Sequence, residues 1–302
     1  MHRSDLGYQL TLFSAPPSEH VVNVSSVPQR SPFRYPGGKT WLVPRVRQWL
    51  TNSQIRPTVF VEPFAGGGIV GLTVAFEKLA DHVVLVELDK NVAAVWETIL
   101  SDDAAWLADR ILSFDLTHDN VRTSLAEEEG ETKEQAFRTI LKNRTFHGGI
   151  MAPGASLIKN GENGKGLKSR WYAGTLAKRI MAIAAIRNRL TFVCGDGIEV
   201  MRKHGRSKRT AFFVDPPYTA GGSTGKRAGN RLYTHHELDH EQLFASAARL
   251  TGDVLLTYDD APDVRALATR HTFEFECVAM KNTHHARLYE LLIGRDLSWL
   301  RQ

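Results

Sequence analysis

The tetrapeptide Asp215-Pro216-Pro217-Tyr218 brings together, within four residues, the groups needed to hold an aromatic amine. Prolines stiffen the backbone and supply carbonyls without competing N–H groups. The Asp215 carboxylate and a neighbouring proline carbonyl therefore form a fixed pair of acceptors. An exocyclic amine such as adenine N6 offers two N–H donors, and its lone pair is delocalised into the ring. Two acceptors gripping those hydrogens favour a pyramidal nitrogen whose lone pair points at an electrophilic methyl. Tyr218 supplies a surface for stacking the base, worth about 1–3 kcal/mol by analogy with single-strand binding. A base inside a duplex cannot reach such a pocket and has to be flipped out, at a cost of a few kcal/mol. The bland alternative is a turn bearing an exposed tyrosine.

A second constellation lies upstream. Gly66, Gly68 and Gly71 satisfy GxGxxG directly after the apolar run TVFVEPF and at the head of another, Ile69 to Leu79. Glycines there permit a tight turn and a close backbone approach to a ligand. Glu87 closes the next apolar run about twenty residues on, where a carboxylate can accept from a ribose hydroxyl pair. This unit alone fits NAD as well as S-adenosylmethionine. Glu62, just before Pro63, would face the pyrophosphate of a dinucleotide, and suits instead a cofactor with a cationic amine and a sulfonium. The stretch Pro36 to Thr40, PGGKT, suggests a P-loop. The first glycine of that motif would fall on Phe33 and no strand precedes it, which excludes ATP hydrolysis on this pattern.

The elements that must position these residues follow from periodicity. TVFVEPF and HVVLVEL read as buried strands, with helices predicted over Ile69–Leu79 and from about Asn91 to Leu100. Strand, glycine turn, helix and strand make a βαβ unit and imply a parallel sheet. The rhythm resumes with LTFVCGD, TAFFVDPPY and GDVLLTY, so DPPY projects from the carboxyl edge of the sheet, where open α/β folds bind ligands. HTFEFECVAM and ARLYELLIG predict an antiparallel hairpin. Residues 1–30 are polar and aperiodic and read as a mobile tail. Residues 31–100 and 189–302 form one domain, and 101–188, helical at both ends around HGGIMAPGASLIKNGENGKG, form a second inserted in it.

The chain has 302 residues, 42% of them hydrophobic and 24% charged, values of an ordinary globular protein. No apolar run approaches the ~20 residues of a membrane span, and the first residues lack a secretory pattern, so a cytoplasmic location is expected. Cys194 and Cys277 sit in apolar runs and read as buried thiols. The net charge of +5 hints at an anionic partner. Lys and Arg crowd into two glycine-containing stretches read as loops. One holds Lys142, Arg144, Lys165, Lys168 and Arg170, with Thr145 and His147 among them, and the other Lys226, Arg227 and Arg231. Either stretch alone fits a solvated loop; beside the motifs, both become candidates for tracking DNA phosphates. His235-His236, His240 and His284-His285 carry no Cys or acid that completes a metal cage, and no metal is expected.

Taken together, these segments resemble the Dam-type, alpha class of adenine-specific DNA N6-methyltransferases, which includes restriction-modification enzymes. The likeness runs from Ser31 to about Gly294. PFRYPGGK resembles the family's N-terminal cofactor motif, VFVEPFAGGG its glycine loop, VELD its ribose-binding strand end and DPPY its catalytic motif. LKNRTFHGG resembles the Asn-Arg-Thr-x-x-x-Gly stretch that opens its target-recognition region, and the motif order agrees. HGGIMAPGASL and the long gap after Tyr172 depart from the best-known members. The resemblance implies a Rossmann-like methyltransferase sheet with a C-terminal antiparallel hairpin and an inserted, mainly helical recognition domain. It implies S-adenosylmethionine as cofactor, with Tyr35, Gly38 and Lys39 beside it and Lys39 near its carboxylate or the active-site acids. Glu62, Phe64, Ala65, Gly66 and Gly68 would line its methionine part, Glu87 its ribose and Asp196 its adenine. Double-stranded DNA would be the partner, methylated by base flipping and in-line transfer.

Competing expectations stand beside this one: a DPPY enzyme acting on RNA adenine or guanine or on cytosine N4, or an inactive nucleic-acid-binding module of the same fold. In the tail, Gln9-Leu10-Thr11-Leu12-Phe13 resembles the peptide by which bacterial enzymes dock on the sliding clamp. Leu12 and Phe13 would enter an apolar pocket with Gln9 at its rim. The same pentapeptide fits equally a segment packed on the protein's own domain.

Overall fold

A computed structural model describes residues 26–34, 38–127, 129–151, 154–159, 161, 164–217, 238–281 and 287–301. Among them, seven strands form one sheet in the order β3-β2-β1-β4-β5-β7-β6. The strands are β1 (Val59–Glu62), β2 (His82–Glu87), β3 (Leu190–Cys194), β4 (Thr210–Val214), β5 (Asp253–Asp259), β6 (Glu274–Lys281) and β7 (Arg287–Gly294). β3, β2, β1, β4 and β5 run parallel. β7 is antiparallel to both β5 and β6, which is the hairpin expected from the sequence.

Burial explains why these segments became strands. β4, TAFFV, is buried throughout, the near-continuous apolar run of a strand covered on both faces. Alternate residues serve opposite faces. Phe60, Leu85, Phe213 and Leu255 join one apolar cluster, while Val61, Val84, Phe212 and Leu256 join another. The first face is covered by α1 (Val43–Asn52), α2 (Ile69–Phe76) and α3 (Lys90–Leu100). The second is covered by α8 (Gly197–His204) and by the helices His240–Ala248 and Pro262–Arg270.

The crossover from α3 to β3 carries the inserted segment: α4 (Ala104–Ser113), α5 (His118–Ala126), α6 (Thr132–Thr145) and α7 (Ala173–Ala184). Its apolar residues, including Leu107, Ile111, Phe137, Ile140 and Ile180, belong to the same continuous cluster as Trp96 and Phe60. α6 begins in a capping box between Glu131 and Glu134. Its last turn carries Asn143, which is fully buried. Asn143 Oδ1 accepts from Arg34 N at 2.9 Å, and Nδ2 donates to Arg34 O at 2.8 Å and Gly149 O at 2.9 Å. One side chain thus ties the segment before Lys39 to the turn after α6.

The two cysteines depart from expectation. Cys194 is exposed and Cys277 half-buried, because β3 and β6 are the two edges of the sheet. An apolar run marks a strand but not its place in the order.

Asn143→Ala would leave the Arg34 amide and two carbonyls without partners. At roughly 1–3 kcal/mol per buried unsatisfied group, with partial relaxation, we expect a loss of about 2–4 kcal/mol. Urea unfolding should show a lower midpoint with an unchanged slope; an unchanged midpoint would refute the clamp.

Candidate active site

Neighbouring strands β1 and β4 have crossovers that leave toward opposite sides of the sheet, and ligands of open α/β sheets bind at the carboxyl edge of such a reversal. Glu62 ends β1 and Asp215 follows β4, so two acids meet at this point. A cavity of about 860 Å³ opens there. Gly38, Lys39, Glu62, Phe64, Ala65, Gly66, Gly68, Glu87, Asp196, Asp215, Pro216 and Pro217 all line it, which brings together the described residues assigned to cofactor and catalysis. Tyr35 and Tyr218 lie outside the described residues.

The glycine loop is held from both sides. Glu87 Oε2 accepts from Gly66 N at 3.0 Å, and its Oε1 accepts from Leu88 N at 2.8 Å and Asp89 N at 2.9 Å. Trp96 Nε1 donates to Gly66 O at 3.0 Å. Gly68 stands at φ 60°, a left-handed conformation, and a Cβ there would lie 2.9 Å from the Trp96 ring. At Gly71 a Cβ would lie 2.6 Å from Glu62 Oε2, the oxygen that accepts the Gly71 N–H at 2.7 Å. The third glycine of the pattern therefore serves strand–helix contact rather than the cavity wall. Across the cavity, Asp196 Oδ1 caps α8 through Ile198 N at 2.7 Å.

Two groups hold one oxygen of Asp215. Lys39 Nζ lies 2.9 Å from Oδ1, and Thr257 Oγ1 donates to that atom at 2.8 Å. Lys39, only 2% exposed, also lies 3.5 Å from Glu290 Oε2 on β7. Burial dominates the acids around it. Glu62 is pushed up to about 8, with the Gly71 N–H opposing and Asp215 adding to the rise. Glu290 is pushed up to about 7 by burial, against the pull of Lys39. Burial likewise raises Asp259 and Glu87. Lys39 is the buried cation that acts on Asp215, Glu290 and Asp259, and burial raises the other acids, so the chamber suits a cationic ligand.

The basic residues divide. His147, Lys165 and Lys168 are exposed, and Lys142 is half-buried with its ammonium 5.6 Å from the Phe146 ring centroid. Arg144 and Thr145 are not displayed on a loop as expected but close α6, at 4% and 0% exposure. The Thr145 hydroxyl donates to Leu141 O at 2.7 Å, so it is unavailable at the surface. Arg144 donates to Pro32 O and lines the cavity together with Arg34, Arg170 and Arg179. Burial and the three neighbouring guanidiniums lower Arg144 to about 9. Lys226, Arg227 and Arg231 lie outside the described residues, as do Gln9, Leu10, Leu12 and Phe13. His240 is half-buried, and its Nδ1 lies 3.0 Å from the hydroxyl of buried Tyr258. His235, His236, His284 and His285 are outside the described residues; no metal-holding cluster of three occurs among the rest.

Sequence reading missed Thr257, Glu290, Arg34 and Arg179. Glu290 left a signal, as a lone acid in the apolar run YELLIG. Thr257 left none, because its role depends on β4 lying beside β5.

The sheet order, with an antiparallel β7 between β5 and β6 and the cavity at the β1/β4 reversal, defines a Rossmann-like methyltransferase fold. Residues 35–281 match the model of the D12 class N6 adenine-specific DNA methyltransferases, and the chain belongs to that family. No curated protein sequence matches it. Among solved structures, the rRNA methyltransferase aviRa from Streptomyces viridochromogenes is 13% identical, over 86% of each chain, at a TM-score of 0.35. The precorrin-6y C5,15-methyltransferase from Geobacter metallireducens GS-15 is 10% identical, over 84% of this chain and 87% of that one, at 0.35. The methyltransferase domain of bacterial CtHen1 is 8% identical, over 83% and 96%, at 0.37.

Glu62 makes stability depend on pH. Its folded value near 8 lies above the ordinary 4.5, so the folded state binds the extra proton between those values. The associated stability is fully present below about pH 4.5 and lost as pH rises toward 8. Glu62→Gln removes that slope. Its stability relative to the native chain should therefore climb, on the order of a few kcal/mol, from pH 5 to pH 9. Parallel unfolding curves across that range would contradict the shift.

Proposed function

We propose that the protein transfers the methyl group of S-adenosylmethionine to the N6 amine of adenine in DNA. The observation that carries this reading is Asp215, fixed by Lys39 and Thr257 across one cavity from Glu62. The chemistry of the lining fits the cofactor at both ends. Glu62 offers a buried acceptor to a cationic amine or sulfonium, and Glu87 lies where ribose hydroxyls are bound. Leu88, half-exposed, presents apolar surface beside Asp196 for an adenine ring.

When bound, the cofactor supplies an electrophilic methyl on a sulfonium. The protein supplies position. Asp215 and the Pro216 carbonyl accept the two N6 hydrogens, localising the nitrogen lone pair, and Tyr218 stacks on the base. Fixing amine and methyl in line converts a bimolecular encounter into a unimolecular step. The target base leaves the duplex to enter the cavity. Arg34, Arg144, Arg170 and Arg179 then hold backbone phosphate, with His147, Lys165 and Lys168 on the outer surface tracking the flanking strand. No described carboxylate stands within salt-bridge distance of Arg34, Arg144 or Arg179, which leaves their charge for an external anion.

Incubation with S-adenosylmethionine and either mixed-sequence plasmid or structured RNA, followed by nucleoside mass spectrometry, tests the reading. N6-methyladenine should appear in DNA. Asp215→Ala should lose at least about a hundredfold in rate while cofactor affinity by calorimetry stays within a few-fold. Methyl groups found only on RNA or on cytosine would overturn the substrate assignment, and an active Asp215→Ala protein would overturn the mechanism.

A further inference from the structure

Transfer of a methyl group to a neutral amine leaves a cationic nitrogen that must lose a proton before the product is N6-methyladenine. Asp215 is the nearest carboxylate in the proposed arrangement. Once protonated it is a spent acceptor, and the base held by Asp215 and the Pro216 carbonyl fills the cavity side of that carboxyl group. Its other side leads inward to Lys39, 2.9 Å away, and from Lys39 to Glu290 at 3.5 Å.

We propose that Glu290 is the terminal proton acceptor of methyl transfer, working through Lys39. It touches neither substrate nor cofactor and is therefore a positioning residue of the relay. The inference rests on the methyltransferase reading above. The balance is simple. The N6–H bond breaks and its electron pair returns to nitrogen, while the proton joins Asp215. Asp215 passes a proton to Lys39 as Lys39 gives one of its own to Glu290. Lys39 ends as an ammonium, Asp215 as a carboxylate and Glu290 as a neutral acid. The acid is discharged to solvent after the product leaves.

Placement supports the role. Glu290 is 6% exposed, and its strand puts Asp259 of β5 opposite it on one side and Val278 of β6 on the other. The charged groups acting on it are Lys39 from the turn after Gly38, Asp215 from the loop after β4 and Asp259 from β5. Burial raises its affinity for a proton, Lys39 opposes that rise and Asp215 and Asp259 add to it, so a proton is held near neutrality, tightly enough to be taken and loosely enough to be released. Glu62, another buried acid of the chamber, directs Oε2 to the Gly71 amide.

The test is single-turnover methylation of adenine-containing duplex by full-length protein saturated with S-adenosylmethionine, measured from pH 5.5 to 9. The native rate should rise through a limb near pH 7 as Glu290 becomes able to accept. Glu290→Gln should lower the pH 8 rate at least tenfold and abolish that limb, with cofactor affinity within about twofold. Glu290→Asp should restore a limb, because a carboxylate is again present. A limb that survives in Glu290→Gln overturns the relay but not the reaction. If Glu290→Gln does not fold, the native profile still decides, since a rate flat between pH 6 and 8 overturns the proposal. Native protein that methylates no adenine at any pH overturns the underlying reading and the relay together.

Discussion

A primary ammonium at 2% exposure is the constraint on which the site depends. Removing such a charge from water costs several kcal/mol unless partners replace its hydration. Lys39 finds them in Asp215, just after β4, and Glu290, on β7, while Thr257 fixes Asp215 from β5. The Lys39–Leu42 turn, the end of β4, the middle of β5 and the start of β7 must therefore meet at one place. The antiparallel insertion of β7 beside β5 makes this possible, because it delivers Glu290 opposite Asp259 at the carboxyl edge of the parallel strands. Lys39 acts on Asp215, Glu290 and Asp259, while burial raises Glu290, Asp259 and Glu62. A chamber so poised favours an arriving cation.

The other half of the cavity depends on the segment before that lysine. Ser31 donates its hydroxyl to Gly67 O at the tip of the glycine loop. Asn143 holds Arg34, Arg144 holds Pro32, and Arg179 holds Ser31 O at 3.0 Å. The helices of the inserted segment thus fix the wall of the pocket as well as lining its basic mouth. Two or three hydrogen bonds connect the end of α6 to the glycine loop.

Much of this was legible in the order of residues. The βαβ unit, the glycine turn, Glu87 at a strand end, Asp215 at the carboxyl edge and the final hairpin all follow from local periodicity and turn chemistry, which act over neighbouring residues. What escaped depends on partners distant in the chain. Glu290 and Thr257 matter because β5 lies between β4 and β7, and strand order is not written in any one strand. Arg144 and Thr145 looked like displayed residues because a basic stretch beside glycines resembles a loop, yet the helix runs on through Thr145 and turns both inward. Gly71 fitted the ligand-binding pattern but serves the close approach of Glu62 to α2.

The most direct measurement is single-turnover methyl transfer by Lys39→Met, with fold and cofactor affinity checked alongside. If the buried ammonium is what orients Asp215, the rate should fall at least about a hundredfold while the variant remains folded and binds S-adenosylmethionine within a few-fold of the native protein. A folded Lys39→Met protein that transfers methyl groups at the native rate would contradict the account, because Asp215 would then be held by something else.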